Sequence, residues 1–265
     1  MKTGTTYLLY DNIKGFADRW SVAAREAIEE IDALVDPTAR CVDVKIPLVD
    51  GCRSQIMPKS DIKKLRLENS DIIYHEVVQI ADSLLDYVSK SLSDKKFYGN
   101  DAFIYLVPVP MFKDLGLKDK WATPAGIGGR YRFADGAPHI SFHFALASPI
   151  ALKGVGLPGM TIEQSEHELF KTLVMHEYLH IFDIPKRYSK NAADEENNEC
   201  AHCSDPDCIM SFYDPVNKTL SRLKRGYPVC DDCKAQIEEL RTIRRALVRY
   251  DNNGLDSSVR RGKGK

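Results

Sequence analysis

Apolar residues recur along this chain at two spacings, and the alternation between them lays out its elements. Residues 5–10, Thr-Tyr-Leu-Leu-Tyr-Asp, make a short apolar run of strand length. Between Asn12 and Val35 the period changes: Trp20, Ala24, Ala27, Ile28, Ile31 and Leu34 fall on one side of a helix, which Asp36-Pro37 ends. Cys41 to Leu48 predicts a second strand. Asp71 to Leu92 predicts a second helix with Ile73, Val77, Ile80, Leu84 and Val88 on its core face, and His75 and Glu76 as a surface pair. Ala102 to Val109 is rich in strand-forming residues until Pro108 interrupts it. Asp135-Gly136 lies between two strand-like runs and marks a hairpin with a long loop.

The run after that turn, His139 to Ala147, sets His139, Ser141 and His143 on one face and Ile140, Phe142 and Phe144 on the other. Such a half-polar strand could be a sheet edge on which a peptide lies, although a solvated outer face explains it more simply. Ile162 to Phe182 predicts a long helix that opens on Thr161 and Gln164, a capping-box pair, and stops before Pro185. A last helix spans Asp231 to Tyr250 on a stripe of Ile237, Leu240, Ile243, Leu247 and Tyr250.

Composition narrows the class. The chain has 265 residues, 43% of them hydrophobic, enough for one large or two small domains with a real core. Its 37 basic and 38 acidic side chains leave a net charge of −1, so no overall field draws it to nucleic acid or to a membrane surface. The first residues lack the apolar core of a secretory leader, and no run is long enough for a membrane span. Five of the seven cysteines crowd between Cys200 and Cys233, a metal-gripping pattern rather than a disulfide scaffold. A cytoplasmic, reducing location follows as the expectation.

The chemistry centres on the end of the long helix, His176-Glu177-Tyr178-Leu179-His180. Four residues are little more than one helical turn, so the two imidazoles leave the same face and can share an ion at Zn–N distances of ~2.0–2.1 Å. Glu177 points about 100° away around the helix, where it can take a proton from water on that ion. The alternative is an amphipathic helix that merely carries two histidines. A catalytic zinc needs a third protein donor. The short pattern that puts a glycine seven residues and a histidine ten residues after the first histidine meets Asp183 and Lys186 here, and an ammonium has no lone pair to offer. Asp183 and His202 remain as candidates.

His202 stands in Cys200-Ala-His-Cys203, followed by Cys208, Met210, Cys230 and Cys233. This constellation resembles the archaemetzincins, a family of zinc metallopeptidases in the metzincin clan. The resemblance implies that His202 is the third ligand of a catalytic zinc, and that Cys203, Cys208, Cys230 and Cys233 bind a second, structural zinc. It also implies a turn at Met210 beneath the catalytic metal. The chain departs from the family at Asp183, in the late arrival of His202, and in a longer spacer between Met210 and Cys230. Extra surface loop costs little, because closure entropy grows with the logarithm of length. Cys200 with Cys203, Cys230 and Cys233 is a second four-cysteine scheme, and Tyr213 is a candidate oxyanion donor.

The fold then expected is a zincin-like α/β protein, a twisted mixed sheet with an active-site helix and a small cysteine-rich C-terminal part. Residues 1–183 would form the N-terminal part, 184–256 the part supplying the third ligand, and 257–265 a disordered basic tail. The expected activity is zinc-dependent hydrolysis of peptide bonds in a peptide or protein substrate, with Glu177 as general base. A zinc-stabilised binding protein without proteolytic activity and a zinc hydrolase of non-peptide substrates are the alternatives.

Overall fold

The structure, a computed structural model, describes residues 5–11, 17–53, 75–91, 101–114, 121–122, 126–132, 141–186, 192, 201–211 and 214–260. In chain order the strands are β1 (Thr5–Asp11), β2 (Arg40–Ile46), β3 (His75–Glu76), β4 (Ala102–Leu106), β5 (Met111–Asp114), β6 (Trp121–Ala122), β7 (Gly126–Arg132) and β8 (Ser141–Ala147). The helices are α1 (Ala17–Val35), α2 (Val77–Ser91), α3 (Ile162–Ile181), α4 (Pro215–Arg225) and α5 (Asp231–Arg260). Five strands form the main sheet in the order β2-β1-β4-β8-β7, parallel except for β7, which runs antiparallel to β8 at the edge. Three short strands pair separately as β3-β5-β6.

Alternation along the strands explains the layers. Leu8, Tyr10, Ile104, Leu106, Ala145 and Ala147 point to one face, into a core shared with α1, α3 and the cysteine-rich segment. Leu9, Phe103, Tyr105, Phe144 and Leu146 point to the other, where α2 covers them with Val77, Ile80, Leu84 and Val88. The mixed sheet between helices is the α/β architecture expected from the sequence.

Three differences bear on function. β7 and β8 pair antiparallel as expected of a hairpin, but β8 lies inside the sheet and β7 is the edge, so the strand of His143 is not an edge on which a peptide could lie. His139 and the Asp135-Gly136 turn lie outside the described residues. His75, expected at the surface, is buried in β3, whose backbone pairs with Met111. The helix expected from Asp71 is described only from Val77. At the other end, α5 runs to Arg260, well past the Tyr250 where its apolar stripe ends. Among the described residues, no helix is long and apolar enough to cross a membrane.

α3 is pinned from several sides. The Thr161 side chain accepts from the Gln164 backbone N–H, and the Gln164 side chain accepts from that of Thr161, so the predicted capping box closes. Trp20 of α1 meets Phe170 edge to face, ring centroids 5.2 Å apart. Tyr178 sits in the middle of the metal-motif turn and points away from the histidines. Its hydroxyl donates to Asp32 Oδ1 of α1 at 2.6 Å and lies 2.6 Å from Thr6 Oγ1 of β1. These bonds fix the rotation of the helix against the sheet.

Burial pushes the Asp32 carboxyl up to about 6, while the Tyr178 hydroxyl pulls it the other way. Because the folded value lies above the ordinary 3.8, this carboxyl's contribution to stability is fully present below about pH 4 and is lost as pH rises through about 6. Asp32→Asn cannot titrate. It is expected to flatten the dependence of stability on pH between about 4 and 7, an effect on the order of 1–3 kcal/mol in urea unfolding. Parallel curves for the two proteins would contradict this assignment.

Candidate metal centre

The last two turns of α3 bring His176, Glu177 and His180 into the interior, each less than a tenth exposed. Helical spacing alone aligns the two histidines, and their Nε2 atoms stand 3.1 Å apart. The chain then leaves the helix, and His202 returns to face them. Its ring lies nearly parallel to that of His176 at 5.3 Å between centroids and edge-on to that of His180 at 5.0 Å. One donor atom from each of the three lies within 4.8 Å of the others.

The protonation states follow from burial. His176 Nδ1 donates to the Ile209 carbonyl at 2.6 Å, which leaves its Nε2 with a lone pair facing the other rings. Burial, aided by the charge of Lys218 and by the other histidines, holds His176 well below the ordinary histidine range. Burial, then the neighbouring His202 and Lys218, lowers His180 to about 3; burial and Lys218 lower His202 to about 4. All three rings are therefore neutral at pH 7, the state that binds a metal.

Immediately beyond His202 the four sulfurs of Cys203, Cys208, Cys230 and Cys233 gather within 4.8 Å of one another, all buried. Cys203 Sγ and Cys230 Sγ are 3.6 Å apart, and the Cys230 backbone N–H donates to Cys208 Sγ. The six described cysteines are thiols rather than disulfides. Hydrogen bonds from Cys208 and from Cys203 respectively lower Cys203 and Cys230, whereas Cys208 and Cys233, donating within the cluster, are raised.

Both donor sets fit zinc. Nitrogens about 2.05 Å from a tetrahedral ion stand about 3.3 Å apart, and thiolates at about 2.3 Å stand about 3.8 Å apart. The observed 3.1 Å and 3.6 Å match those spacings. The histidine and cysteine groups could thus hold two zinc ions.

The other candidates sort plainly. Asp183 is exposed, outside the donor triad, with a left-handed backbone (φ 58°) where α3 turns off. That is the conformation glycine adopts most easily and aspartate tolerates, which gives the departure at this position a backbone meaning. Lys186, where the short pattern would have its histidine, instead ties the end of α3 to α5. Its backbone N–H donates to Gln236 Oε1 at 2.7 Å and its ammonium pairs with Glu239 at 2.6 Å. Cys200 and Tyr213 lie outside the described residues.

Two participants were not anticipated from the sequence. Lys218 of α4 is buried, its ammonium donating to the Ser211 carbonyl at 3.0 Å, and its charge acts on all three histidines and on Glu177. The Ile209 carbonyl sets the tautomer of His176. Glu177 accepts no charge-neutralising contact strong enough to offset burial, which raises its carboxyl to about 8 while Lys218 pulls it down.

No protein-family model matches the chain, and no curated protein sequence does. Among solved structures, a crystal structure described as a zinc-dependent peptidase from Methanocorpusculum labreanum shares the fold, with a TM-score of 0.52 at 15% identity over 88% of this chain and 99% of that chain. A crystal structure of archaemetzincin from Methanopyrus kandleri aligns with a TM-score of 0.47 at 16% identity, over 90% of this chain and 95% of that chain. The likeness to the Methanocorpusculum structure extends over most of both chains and is a likeness of fold.

Elemental analysis of the purified protein is expected to find about two zinc ions per chain, falling towards one in His202→Ala and unchanged in Asp183→Ala. Asp183→Gly is expected to raise stability by about 1 kcal/mol, since it relieves the left-handed backbone without touching the donors. A loss of zinc in Asp183→Ala alone would exchange the roles of the two residues.

Proposed function

We propose that this protein is a zinc-dependent metallopeptidase that hydrolyses peptide bonds with Glu177 as general base. The observation that carries this reading is the pairing of three neutral, convergent imidazoles with a buried carboxyl on the same helical turn. A purely structural zinc site has no use for such a carboxyl. The shared fold with a peptidase structure supports the reading, and the chemistry of the residues supplies the rest.

His176, His180 and His202 would hold the catalytic zinc, and Cys203, Cys208, Cys230 and Cys233 a structural one. Bound zinc supplies Lewis acidity, acidifying water towards a pKa of ~7 and polarising the scissile carbonyl. Glu177 takes the proton of the attacking water on its carboxylate and later delivers it to the departing amine. Burial makes this carboxyl a stronger base than an exposed one, while the charge of Lys218, and of zinc when bound, would favour the carboxylate that takes the proton. His176 is kept in the correct tautomer by Ile209. The substrate is a peptide in extended form lying along β7, which among the described residues is the edge strand and suits strand addition. Residues 1–183 provide sheet and helix, 184–256 provide His202 and the cysteines. Thiols that hold zinc imply a reducing compartment, which we take to be the cytoplasm.

Glu177→Gln tests this reading against the zinc-stabilised binding protein. The variant is expected to keep both zinc ions and to lose turnover of a peptide library by at least ~100-fold, the range lost with a general base. A library left uncut by the zinc-loaded wild type would leave the binding protein, or a hydrolase of another substrate, as the better account.

A further inference from the structure

β7 begins at Gly126, paired with Ala147 of β8, and packs against α3 where that helix carries its donors. A methyl group built on Gly126 would stand 2.5 Å from Cγ, 2.6 Å from Oε1 and 2.7 Å from Cδ of Glu177. All three nearest atoms belong to that one side chain; none is backbone of the helix. The strand therefore passes directly over the carboxyl, closer than any residue with a Cβ could. Glu177 is itself 5% exposed, so a carboxyl displaced from this rotamer would have to shift within the interior. The register supports the same reading. Gly128 is the next residue of β7 on the face of Gly126, and it too is without a side chain.

We infer that Gly126 is a positioning residue: the missing side chain at the start of the edge strand is what leaves room for the Glu177 carboxyl in the rotamer it holds beside the metal-binding turn. Gly126 is not there for a turn, because its φ lies outside the left-handed region and any residue could adopt its backbone. Its requirement is spatial. A side chain at 126 meets the movable end of Glu177, so the fold can absorb the change by displacing the carboxyl, and the loss falls on function instead of on stability.

This inference rests on the peptidase reading only for its kinetic arm. Gly126→Ala is expected to keep its fold and both zinc ions. Its kcat on a peptide cut by the wild type should fall about 100-fold with KM little changed, the scale of a catalytic group misplaced by about 1 Å. In the zinc-loaded protein, the side-chain carboxyl 13C resonance of Glu177, assigned by its absence in Glu177→Gln, should shift in Gly126→Ala. An unmoved resonance with wild-type kcat would overturn the inference. If the wild type cuts no peptide, the function fails, and the resonance still decides the positioning role. Should Gly126→Ala not fold, the double variant Gly126→Ala/Glu177→Ala decides. Recovery of folding supports a contact with the Glu177 side chain, and failure of both overturns it in favour of plain helix–sheet packing.

Discussion

Three imidazoles brought together at the end of α3, two of them buried and none charged at neutral pH, are the constraint to which the rest of this structure answers. His176, its Nδ1 donating to Ile209, turns the lone pair of its Nε2 towards the other rings, where a cation would satisfy it. Holding donors in such a standoff requires that every supporting element be fixed. The capping box and the bonds from Tyr178 to Asp32 and Thr6 set the rotation of α3. The Ile209 carbonyl fixes the plane of His176. The cysteine cluster begins at the residue after His202, so whatever orders the four sulfurs also orders the third imidazole.

α4 completes this frame with polar groups. Its buried side chains are Lys218, Thr219 and Arg222, where a surface helix ordinarily buries apolar ones. Arg222 grips α3 through Glu168 and through Thr172 Oγ1 at 3.1 Å, while Lys218 reaches the Ser211 carbonyl just past Met210. One short helix thus ties the metal helix to the turn that returns from the cysteines. The buried ammonium has a second consequence, since a positive charge there disfavours protonated histidine and favours ionised Glu177.

The sequence was legible where the local chemistry was self-sufficient. α3 announced itself through Thr161, Gln164 and Pro185, and the two histidines needed only helical spacing to meet. The four cysteines were legible by their clustering. Other features depended on information that is not local. That β7 and not β8 is the edge follows from β8 pairing with β4, a partner distant in sequence. His75 is buried because β3 leaves the helix pattern to pair with β5. α4 escaped notice because apolar periodicity cannot find a helix with a polar buried face. Its ends did carry a signal: Asp214 caps, Pro215 follows at the first helical position, and Gly226 ends it in the left-handed region. The close approach of Gly126 to Glu177 had no sequence trace at all beyond the glycine itself.

The account stands or falls on a cation between the three imidazoles. Anomalous-difference density from crystals of the purified protein, collected on either side of the zinc absorption edge, measures this directly. Two peaks are predicted, one within about 2.1 Å of nitrogens from His176, His180 and His202, and one among the sulfurs of Cys203, Cys208, Cys230 and Cys233. A peak at the sulfurs alone, with the three rings closed on one another by hydrogen bonds, would contradict it.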